Sequence, residues 1–200
     1  MVCQQGVLFN VKCQAFDILS FLVAFTSIPK YNKQYMETLD IVNDRDEVIG
    51  QATKKEIYAQ KLPHRIVHVL VYDDMGRMLL QKRADTVFFA PGHWSTAVGG
   101  HVRSGETYEE AALREYDEEL GTVSPLELLF SDVFRDNGYT KYLHVFRAEL
   151  VGELKPNPAE VAEVRAFTDA ELRALDSTRD RLHSELSFIL ARLYGTKEKT

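Results

Sequence analysis

The chain has 200 residues, of which 45% are hydrophobic and 27% charged, proportions that suit one globular domain with a hydrophobic core. The net charge of −6 excludes proteins that coat nucleic acid, because binding to the phosphate backbone depends on Lys and Arg. The two cysteines, Cys3 and Cys13, provide no disulfide framework, so we expect a reducing, cytoplasmic compartment.

The first 35 residues are predicted to lie outside the domain. Residues 18–28 form an unbroken apolar run that is too short to span a membrane and is not followed by a clear signal-peptide cleavage site. This segment is either an interfacial anchor or a stretch that precedes the native start at Met36, and we favour the later start. We therefore predict an extension over 1–35, one domain over 36–200, and no stable insertion into a membrane.

Short strands alternate with turns in the first half of the domain. Strands are predicted at 39–42 and 48–52, followed by a short helix or turn at 54–60. Strands at 65–73 and 77–82 are joined by a hairpin loop, and a loop at 85–92 precedes a strand at 94–98. The Gly99-Gly100 pair after this strand predicts a turn where the backbone comes close to another group.

A helix is predicted from Thr107 to Leu120. Thr107 as N-cap and Glu110 three residues later form a capping box, and Gly121 stands where the helix should end. An apolar stripe on this helix predicts a packed face made of Ala112, Leu113, Tyr116 and Leu120.

Roughly opposite this stripe, the helix carries Glu115, Glu118 and Glu119 at positions i, i+3 and i+4, so their side chains converge. Because like charges repel at this spacing, the patch predicts a bound cation, and a hard divalent ion suits oxygen ligands. A backbone carbonyl from the glycine turn would add another oxygen. The alternative is a solvated acidic face with a structural Arg114–Glu118 pair, which is the commoner meaning of such a triplet. The glycines ahead of the helix favour the metal site.

The second half continues the alternation of strands and helices. Strands are predicted at 126–134 and 141–150, a polar, Pro-containing loop at 152–158, and a strand at 164–167. Helices are predicted at 169–175 and 180–193. We find no internal repeat and no linker long enough to divide the domain.

The segment from Gly100 to Thr122 resembles the Nudix box, the signature of hydrolases that act on nucleoside diphosphates linked to another moiety. Its Gly, Glu and Arg positions all match, whereas Tyr116 and Thr122 occupy positions that usually hold bulky aliphatic residues. The resemblance runs from residue 38 to the last helix. It implies an α/β/α sandwich with a mixed β-sheet and hydrolysis of a phosphoanhydride bond in a small, nucleotide-linked diphosphate.

The same resemblance implies roles for individual residues. Glu118 and Glu119 would bind Mg²⁺ or Mn²⁺, with Glu115 as third ligand or general base. The Gly100 carbonyl would be a backbone ligand and Arg114 would orient Glu115. Glu106 would support the site from the outer shell of the ion.

Further residues are given ligand or substrate-binding roles only because of their position in the sequence. Glu160 stands where many members of the family take another carboxylate ligand, with Glu163 as second choice. Arg83 and Arg103 are candidates for contacts with substrate phosphates. Tyr139 falls where members that cleave diadenosine polyphosphates carry a tyrosine, although packing is its default role. We expect a small-molecule diphosphate as partner, and a homodimer is a further expectation from the resemblance.

The run from Pro91 to His101 is also similar to type I isopentenyl-diphosphate isomerase, which shares the fold. Gly99 stands where that enzyme has its catalytic cysteine, and no carboxylate stands near 139–141, so isomerisation is not expected. His64 and His101 match its metal-binding histidines, and we interpret them as packing or substrate-binding residues in preference to a second metal site. For Trp94 we favour a core role over stacking on a base.

The alternative to a hydrolase is an isomerase-like protein or a catalytically silent binder of nucleotides or prenyl diphosphates. The complete set of carboxylates argues against a pure binder, which has no need of Glu115 in addition to Glu118 and Glu119.

Overall fold

The computed structural model describes residues 37–195, so the predictions for 1–35 lie outside the described residues. Nine strands and four helices follow one another within this range. They are β1 (Thr38–Val42), β2 (Val48–Thr53), α1 (Lys54–Gln60), β3 (His64–Tyr72), β4 (Met78–Arg83), β5 (Trp94–Thr96), β6 (Val98–His101), α2 (Tyr108–Leu120), β7 (Glu127–Asp136), β8 (Tyr139–Glu149), β9 (Val161–Phe167), α3 (Asp169–Ala174) and α4 (Ser184–Tyr194).

A seven-stranded mixed sheet forms the centre of the domain. Its path is β5-β4-β3-β8-β7, with β6 paired to β3 and β9 paired to β4. Strands β3 and β8 run parallel over nine residue pairs, whereas the other pairs are antiparallel. Strands β1 and β2 form a separate antiparallel hairpin. The parallel pair is buried between helices on both faces, as such strands usually are.

The side chains of β3 point alternately to the two faces of the sheet and contribute to two layers of the core. Ile66 and Leu70 pack toward α4 together with Leu186 and Ile189, whereas the intervening valines pack toward Tyr116 of α2. Side chains of successive strand residues point to opposite faces, so one buried strand supports both layers. The predicted α/β/α sandwich with a mixed sheet is confirmed.

Two predicted boundaries are wrong because contacts distant in sequence decide them. The strand predicted at 94–98 is two strands: β5 pairs with β4, β6 pairs with β3, and the chain changes neighbour at Ala97. Gly99 and Gly100 therefore lie within β6 and not in a turn. Helix α4 begins at Ser184 and not at residue 180, because the preceding segment pairs with β5 through a bond from the Trp94 N–H to the Arg181 carbonyl, 3.0 Å.

The other elements differ from prediction by shifts at their ends. Strand β9 begins three residues earlier than predicted, and β7 and β8 extend to a tight turn at Asn137 and Gly138. Residues 54–60 form a helix and not a turn. Within the described residues, no helix is long and apolar enough to cross a bilayer.

Candidate active site

Helix α2 is fixed at both ends by the groups that its sequence predicts. The Thr107 hydroxyl accepts from the backbone N–H of Glu110 at 3.2 Å, and the Glu110 carboxylate accepts from the Thr107 N–H at 2.8 Å. Gly121 has a φ of 64° and its N–H donates to the Asp117 carbonyl at 2.9 Å. Burial of Tyr116 then fixes the rotation of the helix, which turns Glu115 toward β6 and Glu119 toward β4 and β6.

Glu115 lies against the backbone of Gly100. A Cβ atom added to Gly100 would overlap the Glu115 carboxyl group, so only glycine fits there without displacement. Arg114 Nη1 donates to Glu115 Oε1 at 2.7 Å, and 14% of the Glu115 side chain is exposed. Burial raises the pKa of Glu115 to about 7, Arg114 opposes this shift, and repulsion from Glu118 adds to it. The close approach predicted for the glycine pair is therefore made, to a carboxylate of α2.

Glu119 is buried, with 4% of its surface exposed. Its Oε2 accepts from Gln81 Nε2 at 2.8 Å and from the Gly99 N–H at 3.3 Å. Burial raises the pKa of Glu119 well above its usual range, and the charges of Glu115 and Glu160 raise it further. The prediction that all three carboxylates face away from the packed side is wrong for Glu119, which is only three residues from Tyr116 and shares its face.

Glu118 is the most accessible of the three carboxylates. Its side chain is 45% exposed and lies 3.4 Å from Arg103 Nη2 and 3.7 Å from Arg114 Nη1. The predicted Arg114–Glu118 pair is thus the longest of the Arg114 ion pairs. Glu118 remains open toward solvent, where an incoming ligand would meet it.

Arg114 links Glu106 to Glu115. Its Nε and Nη2 atoms donate to the two oxygens of Glu106 at 2.7 and 2.8 Å, and Nη2 also donates to the His101 carbonyl at 2.9 Å. Burial alone would raise the pKa of Glu106, but hydrogen bonds from Arg114 and from the Arg103 backbone outweigh it and hold the pKa below the usual value. This bidentate ion pair with Glu106 fixes the plane of the Arg114 guanidinium group. The arrangement is the one expected if Glu106 supports the site and Arg114 orients Glu115.

The structure separates the two candidates for a further carboxylate. Glu160 Oε1 accepts from Asn157 Nδ2 at 3.0 Å, and its charge contributes to the raised pKa of Glu119. Glu163 is exposed on β9 opposite Lys82. Glu160 is therefore the one that lies near the carboxylates of α2.

Within residues 37–195, no three His, Cys, Asp or Glu side chains converge, as they stand, on a position that would hold one metal ion. The carboxylates are instead drawn into separate hydrogen bonds with Arg114, Arg103 and Gln81. The donors nevertheless fit a hard divalent cation, since they are carboxylate oxygens beside the partly buried backbone of β6. The raised pKa values of Glu115 and Glu119 mean that their negative charge lacks full compensation, which a cation would supply.

Two polar residues of this region were not predicted from the sequence. Lys54, the first residue of α1, has an 18% exposed side chain whose Nζ lies 3.9 Å from Glu37 Oε2. Burial lowers the pKa of Lys54, whereas the charges of Glu37 and Glu115 act in the opposite direction. Gln81 binds Glu119 from β4. A usable signal existed for each: the capping box at Thr53 fixes where α1 starts, and Gln81 is a polar residue inside a buried strand.

The three residues predicted to contact substrate, Arg83, Arg103 and Tyr139, do not lie in one place. Arg103 Nε and Nη2 donate to Glu37 Oε1 at 3.0 and 2.6 Å, beside Glu118. Arg83 Nε donates to the Phe89 carbonyl at 3.0 Å, and its charge acts on Glu119. The Tyr139 hydroxyl donates to the Tyr58 carbonyl at 3.3 Å, so Tyr139 belongs to a different cluster.

That cluster lies around His101. The His64 and His101 rings stack with centroids 5.5 Å apart, and the Tyr58 hydroxyl lies 2.8 Å from His101 Nε2. Lys141 Nζ donates to Glu185 Oε1 at 2.6 Å and to the Tyr58 hydroxyl at 3.5 Å. Burial lowers the pKa of His64 to about 4 and that of His101 well below its usual value. The Lys141 cation beside these rings favours packing and hydrogen bonding over a second metal site, because it would repel a metal ion.

Comparison with known proteins identifies relatives of this domain. Residues 62–186 match the family model of the NUDIX domain. The Nudix hydrolase SCO1686 of Streptomyces coelicolor is 39% identical over 139 residues, which cover 68% of this chain and 77% of that protein. Isopentenyl-diphosphate Delta-isomerase 2 of Photorhabdus laumondii is 35% identical over 144 residues, which cover 70% of this chain and 81% of that protein.

A solved structure agrees with the fold. The crystal structure of DR0079 from Deinococcus radiodurans superposes with a TM-score of 0.70 at 27% sequence identity, covering 79% of this chain and 99% of that one. The region that matches the family model runs from just before β3 into α4 and includes all of α2.

Proposed function

Because the chain belongs to the Nudix hydrolase family, we propose that it is a Mg²⁺-dependent hydrolase that cleaves a phosphoanhydride bond in a small, nucleotide-linked diphosphate. Hydrolysis of pyrophosphate-containing compounds follows from the family. The choice of Mg²⁺, the nucleotide and the roles of individual residues are our proposal.

The observation that carries the proposal is the environment of Glu115. Its carboxyl group is enclosed between the Gly100 backbone and Arg114, and burial raises its pKa to about 7. A carboxylate with a pKa near neutrality is suited to take a proton from water at physiological pH. A structural acidic face, by contrast, would leave all three glutamates in solvent with ordinary partners.

The remaining residues support this proton transfer. Glu118 and Glu119, the Gly100 carbonyl and Glu160 are the oxygen donors that would hold Mg²⁺, with Mn²⁺ as a substitute. When bound, the cation would neutralise charge on phosphate oxygens and make a water more acidic. Arg114 keeps the Glu115 carboxylate in one orientation, and Glu106 keeps Arg114 in place.

Hydrolysis of a panel of diphosphates tests the proposal. Release of phosphate or nucleotide should require Mg²⁺ or Mn²⁺, and Glu115→Gln should lower kcat by about 10³-fold or more with a folded protein. The matched control is Glu109→Gln, which makes the same charge change at an exposed position of α2. Metal-dependent turnover that survives the double change Glu118→Gln and Glu119→Gln would place the chemistry elsewhere.

The isomerase-like alternative has weaker support. The relative from Photorhabdus laumondii carries the name of an isomerase, but Gly99 of this chain has no side chain for proton transfer. A Cβ added there would lie 2.9 Å from His68 Nδ1, so the position is also crowded. Lys141, from the region where the isomerase has its acid, is paired with Glu185. Conversion of isopentenyl diphosphate without release of phosphate would favour the isomerase, and tight binding without turnover of any diphosphate would favour a silent binder.

A further inference from the structure

A pocket of about 370 Å³ opens where β4 and β5 meet the segment that precedes α4. Lys82 and Arg83 line it from the end of β4, Trp94 from the start of β5, and Arg181 from the segment before α4. Nothing in the proposed chemistry at α2 uses Lys82, Trp94 or Arg181. The pocket has the size at which small-molecule sites begin.

The pocket is positively charged. Its Arg179 and Asp180 neutralise each other through an ion pair of 2.9 Å. Within the described residues, no carboxylate lies within 4.0 Å of the charged groups of the other three cations, which are Lys82, Arg83 and Arg181. Asp85 is the one further acid in its lining.

Backbone contacts hold two of these cations at the pocket. Arg83 Nε donates to the Phe89 carbonyl at 3.0 Å, and Arg181 Nη2 donates to the Pro91 carbonyl at 3.3 Å. Both acceptors are neutral, so neither contact removes a positive charge from the pocket, although Glu119 lies close enough to interact with Arg83. A concave site with excess positive charge attracts anions.

Backbone irregularities bring these side chains together. Lys82 pairs with Glu163 and Arg83 pairs with Val161, so Ala162 is an extra residue and forms a β-bulge. The bulge belongs to β9 and interrupts its pairing with β4 at Lys82 and Arg83, where β4 ends. Here both Lys82 and Arg83 line one pocket. Arg181 has a φ of 52°, a left-handed conformation that is unusual for a residue other than glycine.

The pocket borders the carboxylate site. The N–H of Ala84, next to Arg83, donates to the Glu160 carbonyl at 2.9 Å. Ala162 of the pocket is two residues from Glu160 in the chain. Arg83 thus stands between the carboxylates and the other cations.

We propose that this pocket binds a second anionic group of the substrate, a phosphate that is separate from the pyrophosphate cleaved at α2. The inference rests on the proposed function, because it takes the scissile phosphates to lie at the carboxylates. Lys82, Arg83 and Arg181 bind the oxygens of the second phosphate, and Trp94 forms one wall. The substrate class is therefore a pyrophosphate ester that carries at least one further phosphate.

Fluorescence of Trp94 gives a direct test, because it is the only tryptophan in the chain. Titration of the full-length protein with tripolyphosphate in EDTA should change this fluorescence saturably. The double variant Lys82→Gln/Arg181→Gly should weaken binding by about tenfold or more, since two charged contacts are lost. Glycine suits the left-handed conformation at residue 181, so this variant retains the fold. Arg45→Gln, at an exposed arginine paired with Glu47, is the control and should bind as the wild type does.

A matched pair of probes then tests whether one further phosphate adds to the affinity. Coenzyme A and 3′-dephospho-coenzyme A share one pyrophosphate and differ by one phosphate. In the same titration, coenzyme A should bind the wild type about tenfold more tightly, and the double variant should bind both equally.

A non-saturable signal, or equal tripolyphosphate affinity in the wild type and the double variant, would contradict the proposal that this pocket binds phosphate. Equal binding of the two coenzymes by the wild type would show that the pocket does not recognise a second phosphate. Because these titrations contain no metal, they are independent of the hydrolase assay: intact anion binding without Mg²⁺-dependent hydrolysis would count against the proposed function alone.

Discussion

Burial makes the protonation of Glu115 depend on whether the chain is folded. Its pKa rises from an ordinary value of 4.5 to about 7 in the native protein. A carboxyl group with a raised native pKa stabilises the fold fully below the unfolded pKa, and this contribution is lost as the pH rises through the native pKa. The relevant window is therefore between about pH 4.5 and pH 7.

We expect Glu115→Gln to remove this pH dependence. In EDTA, the variant should match the wild type near pH 4.5 and be more stable near pH 8 by on the order of 2–3 kcal/mol, because glutamine carries no charge to bury. Urea unfolding at several pH values measures the difference. A stability difference that stays constant over this window would contradict the assigned environment of Glu115.

Gly100 gives a second prediction at the residue scale. Gly100→Ala places a methyl group where the Glu115 carboxyl lies, so we expect a loss of about 1–3 kcal/mol in stability and about 10² in metal-dependent rate. Gly50→Ala is the matched control, since its Cβ would meet only Ile41 Cδ1 at an ordinary 3.5 Å. Thermal unfolding and initial rates measure both variants. An alanine at residue 100 that retains full activity would show that Glu115 need not approach this strand.

At the scale of elements, α2 was predicted correctly from signals near its ends in the sequence. The start of α4 was predicted wrongly, because it depends on contacts that are distant in sequence. The capping box at Thr107 and the glycine at 121 flank the helix directly, so the local sequence determines where it begins and where it ends. The start of α4 depends on pairing between Trp94 and Arg181, 87 residues apart in the printed sequence. No periodic pattern within residues 180–183 contains that contact.

The capping box of α2 is expected to matter for both folding and function. Thr107→Ala should lower the free energy of unfolding by about 1 kcal/mol and also lower the metal-dependent rate, because the carboxylates follow the helix. Thr168→Ala removes the equivalent cap of α3, which lies away from the site. It should lower stability by a similar amount, with an unchanged rate.

Denaturant unfolding and kinetics on both variants separate the two effects. A Thr107→Ala variant that loses stability but keeps its full rate would show that the site does not depend on how α2 begins.

At the scale of the whole molecule, the fold and most of the candidate site were predictable because their residues lie in one contiguous segment. Gly100, Glu106, Arg114 and the three glutamates lie within 20 residues of one another in the chain. Lys54 and Gln81 were not predicted, because they reach the carboxylates only through the packing of α1 and β4. The burial of Glu119 follows from its spacing to Tyr116 within α2, whereas its polar partners come from β4 and β6 and are not visible in the helix segment.

The cationic pocket is a product of tertiary structure as well. Lys82 and Arg83 are neighbours that a regular strand would point apart, and Arg181 comes from a segment predicted as helix. They meet where a bulge in β9 interrupts its pairing with the end of β4 and where Arg181 adopts a left-handed conformation. Sequence patterns predict regular helices and strands, so they do not predict a site that depends on irregular backbone.

Equilibrium binding of Mn²⁺, followed by the electron paramagnetic resonance of the free ion, tests the central claim most directly. The wild type and Glu109→Gln should bind Mn²⁺, with Mg²⁺ as competitor, whereas Glu118→Gln/Glu119→Gln should bind it about 10²-fold more weakly. Equal Mn²⁺ affinity in the wild type and the double variant would contradict the account, because the carboxylates of α2 would then not hold the cation.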